Sequence, residues 1–199
     1  MPEPPWNDPS KEDAKPQPIF STPLWHIEDE LPKGALKWAL DYKKSHPMEH
    51  RRSNRGGYQS YPTHDYSDFK YREYMLAMLR FLPRFHFQNW WVNVNGKGAF
   101  NMQHTHPGSD LSIIWNITSN NNSLRLVNPV QHVRGNLCTG YSMHNRYGFE
   151  YDQVRQIDCK EGDIVIFPSD IEHYVEPHEL RKERVTVSFN LAFNFEQKF

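Results

Sequence analysis

The feature that most constrains this chain is a succession of short β-forming runs in its second half, with no helical period between them. Phe85 to Asn95 alternates and is dense in aromatic residues and valine, and Leu111 to Ile117, Leu124 to Val127, Asp163 to Phe167 and Val185 to Phe193 continue the pattern. Parallel strands need a crossover after each strand, so this spacing excludes a doubly wound nucleotide fold and leaves a sandwich or jelly roll. Helical spacing occurs only upstream. Ala35, Trp38, Ala39 and Tyr42 recur within Lys33 to Lys44, between Pro32 and Pro47, and Tyr74, Met75, Met78 and Leu79 recur within Tyr66 to Phe81, ahead of Pro83. The expected fold is mainly β, a cupin-like jelly roll with N-terminal helices packed outside it.

The length of 199 residues suits one domain. Residues 1–17 carry five prolines among polar and charged residues, too little apolar surface to offset the entropy of ordering, and read as a disordered arm. Residues 18–199 then form a single domain, helical over 33–82 and jelly-roll over 85–195. Ile19 to Ile27, interrupted by Pro23, reads as an edge strand. Ser53 to Asp65 reads as a long loop, Gly96-Lys97-Gly98 as a hairpin turn, and 128–160 as an insertion beside a binding site. Hydrophobic residues make up 37% of the chain and aromatic residues 14%, so the interior must be built from rings as much as from aliphatic side chains.

Twenty-three lysines and arginines balance 24 acids, which gives no field that would recruit nucleic acid or an anionic membrane. Cys138 and Cys159 form no CxxC pair, which argues against a zinc ribbon or a disulfide framework. There is no apolar run of bilayer length, and the opening MPEPPWNDPSKEDAK is polar and acidic where a signal peptide is basic and then apolar. The chain is expected to be cytoplasmic, and the sequon at Asn116 is discounted.

The chemistry concentrates at three places. Gln103-His104-Thr105-His106-Pro107 puts two imidazoles at an i, i+2 spacing, on one face of an extended segment. A third histidine, His173, follows the strand and turn of Gly162 to Pro168. Arg184, Thr186, Ser188 and Asn190 then share one face of a strand whose other face is apolar. Fe(II) takes imidazole readily, and oxygen chemistry needs a facial ligand set that leaves other positions open. An arginine with hydroxyls on its own strand face suits a carboxylate. Taken singly, each feature has a plain structural explanation, and only their joint occurrence points to a site. His26, His46, His50, His64, His86, His132, His144 and His178 fit no such spacing and are taken as structural or solvent-exposed.

At these residues the chain resembles the 2-oxoglutarate/Fe(II) oxygenase superfamily, and most closely a bacterial and phage branch with the pattern HxHPxSxxSG, here His104-Thr105-His106-Pro107-Gly108-Ser109-Asp110-Leu111-Ser112-Ile113. The likeness includes Trp91-Val92-Asn93, Ser53-Asn54, Gly56 to Ser60 and Arg184 to Asn190. The resemblance implies a double-stranded β-helix, with His104 and His173 as iron ligands and Arg184 against the far carboxylate of the 2-oxoglutarate cosubstrate. It also implies that Asn93 and Trp115 lie beside the cosubstrate, with Thr186 and Ser188 next to Arg184, and that Fe(II), 2-oxoglutarate and O2 are required.

The superfamily usually has HxD or HxE where this chain has HxH. The third ligand is therefore His106, Asp110 from the following loop, or water, with His106 favoured. Ile113 stands where the branch has glycine, which would alter the pocket. The expected activity is hydroxylation of a protein side chain or a small molecule, in a bacterial or phage-encoded protein. The alternatives are a three-histidine cupin-like dioxygenase and a non-enzymatic jelly-roll binding or phage protein.

Overall fold

The computed structural model describes residues 22–119, 123–129 and 154–194. The elements run β1 (Trp25–Ile27), α1 (Ala35–Ser45), β2 (Asn54–Arg55), β3 (Tyr58–Gln59), α2 (Arg72–Met78), β4 (Phe85–Asn95), β5 (Phe100–His104), β6 (Leu111–Asn116), β7 (Leu124–Val127), β8 (Val154–Ile157), β9 (Ile164–Pro168), β10 (His173–Val175) and β11 (Arg184–Phe193), with a 3-10 turn at Tyr66–Asp68 before α2. The arm, most of the insertion over 128–160, and Cys138, His132 and His144 lie outside the described residues.

One sheet has the order β1-β9-β6-β11-β4-β3 and the other β2-β5-β10-β7-β8, and every pairing is antiparallel. From β4 to β11 the chain passes repeatedly between the two sheets, with only β7 and β8 consecutive in one of them. This is the winding of a double-stranded β-helix. The expected jelly roll is therefore present.

Alternation along the strands of the six-stranded sheet separates two environments. Trp90, Val92 and Val94 of β4, Leu111, Ile113 and Trp115 of β6, and Val185, Val187, Phe189 and Leu191 of β11 face the helices in one buried cluster. Phe69, next to the 3-10 turn, is its hub, with ring centroids 5.1 Å from Phe189, 5.2 Å from Trp90 and 5.3 Å from Trp38 of α1. Such tilted and edge-on contacts add to the area buried. The helix seats closely because its innermost residues are small: Ala35 and Ala39 are fully buried. The ring-built interior expected from composition is this layer. A smaller apolar cluster between the sheets joins Leu124, Leu126, Val165, Phe167 and Ile171.

Three sequence expectations are corrected. The glycine turn Gly96-Lys97-Gly98 does not close a hairpin, because β4 and β5 belong to different sheets, and the turn carries the chain from one to the other. Ser53 to Asp65 is not all loop. Asn54–Arg55 and Tyr58–Gln59 pair with β5 and β4, and Gly57 is needed between them, since a Cβ there would lie 2.1 Å from Asn95 Oδ1. The second helix is shorter than expected, with the 3-10 turn taking its first residues. Among the described residues the expected edge strand is Trp25–Ile27, beyond Pro23. Strands β5, β8 and β10 were not anticipated, as they are short and carry few β-branched residues in alternation.

Candidate metal and carboxylate site

The inward face of the six-stranded sheet is polar. Register sets Asn93, Thr186 and Asn116 side by side across β4, β11 and β6; Trp91, Ser188 and Ile114 form the next row, and Asn89, Asn190 and Ser112 the one after. Asn93, Asn116, Ser112, Thr186, Ser188 and Asn190 are all buried. Buried polar groups on this scale cost stability unless each finds a partner or a ligand.

The three histidines meet where the sheets approach. His104 ends β5 and is paired in register with His173 at the start of β10, and the next turn brings His106 back beside them. The His106 amide donates to the Ser169 carbonyl at 2.9 Å, which fixes the turn. Ring centroids are 4.3 Å apart for His104 and His173 and 5.0 Å for each pair with His106, and the three donor nitrogens lie within 4.8 Å of one another. Each Nδ1 faces an oxygen: the Met102 carbonyl for His104 at 2.6 Å, the Ile171 carbonyl for His173 at 2.9 Å, and Asn190 Oδ1 for His106 at 2.6 Å. A carbonyl oxygen only accepts, so Nδ1 carries the proton and Nε2 keeps its lone pair, the tautomer a metal requires. Burial holds His106 down to about 4 and His173 down to about 3, and it lowers His104 as well, so the rings are neutral at pH 7.

Asp110 is engaged elsewhere. Its carboxylate accepts from the Phe193 amide at 2.7 Å, and the cluster of possible metal donors contains only the three histidines. Among the described residues, no carboxylate joins it.

Arg184 is 3% exposed and lines the same cavity as the histidines. Its Nη1 donates to Ser123 Oγ at 2.7 Å, and no acidic side chain pairs with it among the described residues. Burial without a counter-charge draws its guanidinium down to about 10. Asn93 Nδ2 donates to Thr186 Oγ1 and Ser188 Oγ, each at 3.2 Å, so both hydroxyls accept from it and retain their own protons for another acceptor. Asn93 Oδ1 itself is buried without a partner. Ile114, Leu124 and Phe167 close the walls.

Trp115 is misplaced in the sequence expectation. It is fully buried on the helix side, 5.5 Å from Tyr71 and from Tyr74, and not in the cavity. Pairing of Val187 with Trp115 puts it on the face opposite Thr186 and Ser188, and Ile114 and Asn116 take the inward places. Ile113 shares the outward face, so its side chain packs with the helices. Asn116 and Ser112 could have been found from that parity, and Asn190 lay in the recognised stripe. Ser123 comes from the opposite sheet's side and left no sequence signal.

A family described as "Putative 2OG-Fe(II) oxygenase" matches residues 89–190, just over half of the chain, from within β4 to within β11. No curated protein sequence matches the chain. Solved structures of similar fold include HygX from Streptomyces hygroscopicus with nickel and 2-oxoglutarate bound, at 11% identity over 89% of this chain and 85% of that one, TM-score 0.55. A Pseudomonas putida prolyl-4-hydroxylase is similar at 14% identity over 88% and 95%, TM-score 0.58. EctD from S. alaskensis, with 2-oxoglutarate and 5-hydroxyectoine, is similar at 13% identity over 86% and 72%, TM-score 0.56. At such identities the likeness is one of fold.

Proposed function

The chain belongs to the 2-oxoglutarate/Fe(II) oxygenase family, and from that premise we propose that it is a hydroxylase in which His104, His106 and His173 hold Fe(II) and Arg184 seats 2-oxoglutarate. The observation that carries this reading is the buried guanidinium of Arg184, which faces the histidine cavity with no carboxylate partner among the described residues. A cation kept in that state favours a carboxylate ligand of matching shape.

The donor set fits the group. Three neutral imidazoles bind a borderline divalent ion such as Fe(II) and leave room for two cosubstrate oxygens and dioxygen. Iron with 2-oxoglutarate and dioxygen supplies oxidation of a carbon–hydrogen bond to an alcohol, with succinate and carbon dioxide released. The protein does the rest. Met102, Ile171 and Asn190 hold the imidazoles in the binding tautomer. Arg184, Thr186 and Ser188 take the distal carboxylate, and Asn93 orients the two hydroxyl protons toward it. The apolar walls of Ile114, Leu124 and Phe167 keep bulk water from the seat.

Anaerobic visible spectroscopy of the Fe(II)-loaded protein tests this. A charge-transfer band should appear on adding 2-oxoglutarate and require a far higher 2-oxoglutarate concentration in Arg184→Leu. Bound iron with no band would sink the reading and favour a three-histidine cupin-like dioxygenase. The third ligand is tested by metal affinity: His106→Ala should lose iron and Asp110→Ala should keep it. The reverse result would move the assignment to Asp110.

A further inference from the structure

A second cavity of about 600 Å3 opens beside the histidines, and its residues follow those of the first along the same strands. On β11 the first cavity takes Arg184, Thr186 and Ser188 and the second takes Asn190; on β4 the first takes Asn93, the second Asn89, and Trp91 serves both. His104 and His106 lie in both, so the second cavity approaches the metal position from the side away from Arg184. Its size suits a small molecule.

Three features define its chemistry. Among the described residues no acidic side chain lines it, whereas the exposed Arg52 does, and none pairs with Arg52. Gln59, 6% exposed, is the register partner of Asn93 and shares its inward face, yet its Oε1 is buried without a hydrogen bond. His50 Nε2, in the same wall, is also buried and unpaired. An unpaired buried acceptor costs stability unless a ligand supplies the donor. Trp91 gives a flat apolar wall between Asn89 and Asn93.

We propose that this cavity is the substrate site and that it takes a small carboxylate-bearing molecule with an N–H or O–H donor, the carboxylate against Arg52 and the donor against Gln59. The assignment rests on the oxygenase reading for its role in turnover, and on the cavity alone for binding. Arg52 supplies a planar fork of donors for the carboxylate, and Gln59 supplies an acceptor inside the wall. The molecule would lie along Trp91 with one carbon directed at the histidines.

The test uses the Zn(II)-loaded full chain, which does not turn over 2-oxoglutarate, saturated with that cosubstrate. The probes are short-chain carboxylic acids, their amino and hydroxy derivatives, and the matched primary carboxamides, followed by ligand-observed NMR. The acids should bind about tenfold more tightly than their carboxamides, and Arg52→Leu should remove that preference while 2-oxoglutarate affinity is kept. Gln59→Met should remove the further preference for amino and hydroxy acids over plain acids. Equal binding of acids and carboxamides, or a preference that persists in Arg52→Leu, would overturn the proposal and leave the oxygenase reading standing. An acid preference in a protein that fails to bind 2-oxoglutarate would keep the binding site and discard its role in oxygenation.

Discussion

The two faces of the six-stranded sheet are made by the same strands and differ in almost everything else. The outward face buries Trp90, Trp115, Phe189, Ile113 and Leu191 against the helices, where each ring packs on another. The inward face buries Asn93, Asn116, Ser112, Thr186, Ser188, Asn190 and Arg184, where polar groups sit in a low-dielectric space and Asn93 Oδ1 lacks a partner. One face stabilises the fold and the other draws on that stability to hold a site in readiness. The lesson is that a strand's period of two lets neighbouring residues serve opposite ends.

The two faces should respond in opposite ways to substitution. Trp115→Ala should lower the unfolding free energy by about 3–5 kcal/mol, as for other large-to-small core changes. 2-Oxoglutarate affinity of the folded fraction should be unchanged. A selective loss of cosubstrate binding, with stability kept, would return Trp115 to the cavity.

Arg184→Leu should do the opposite. Truncating one partner of a buried pair costs about 2–5 kcal/mol of binding, so 2-oxoglutarate affinity should fall by about 30-fold or more. The ligand-free variant should melt at a higher temperature than the native protein, because an uncompensated buried cation is gone. Calorimetry with and without 2-oxoglutarate reads both effects, and a lower melting temperature without ligand would show that Arg184 is already satisfied.

Asn190→Ala removes the oxygen that orients His106, and metal affinity should fall about 10-fold to 100-fold, measured by competition with a chelator. Unchanged affinity would mean that Ser112 Oγ, 3.0 Å from the same nitrogen, orients the ring alone.

The same contrast sets a pH dependence. In the metal-free protein His106 and His173 titrate at about 4 and about 3, below the unfolded value near 6.5. The unfolded chain therefore takes up protons first as pH falls, and stability present above about 6.5 is lost progressively toward the folded values. The slope is at most about 1.4 kcal/mol per pH unit for each histidine. Chemical denaturation at several pH values measures it. Stability that stays flat from pH 7 to 5 would mean the imidazoles are not held neutral by burial.

Much of this was legible beforehand, residue by residue. Leu124–Val127 and Phe85–Asn95 have the bounds their composition indicates, and the histidines, Arg184, Thr186, Ser188 and Asn93 all line one cavity as expected. Trp115 departs from the expectation because its register partner is Val187, whose side chain lies on the face opposite Thr186. His64 is exposed and His50 packs its ring on Tyr61, as a structural or exposed histidine does, and only the fold of residues 50–64 over β4 also brings both to the second cavity.

Read alone, the amino-acid order carries the local patterns: strand alternation, helical spacing, an i, i+2 histidine pair and a polar stripe on the last strand. These depend on the period of the backbone, which neighbouring residues fix. Only the packed chain fixes which strands pair, that His104 stands opposite His173 across 69 positions, that Ser123 reaches Arg184, and that Arg184 has no carboxylate partner among the described residues. Those outcomes depend on which distant segments are brought together, and on the dielectric and hydrogen-bond partners that burial then imposes.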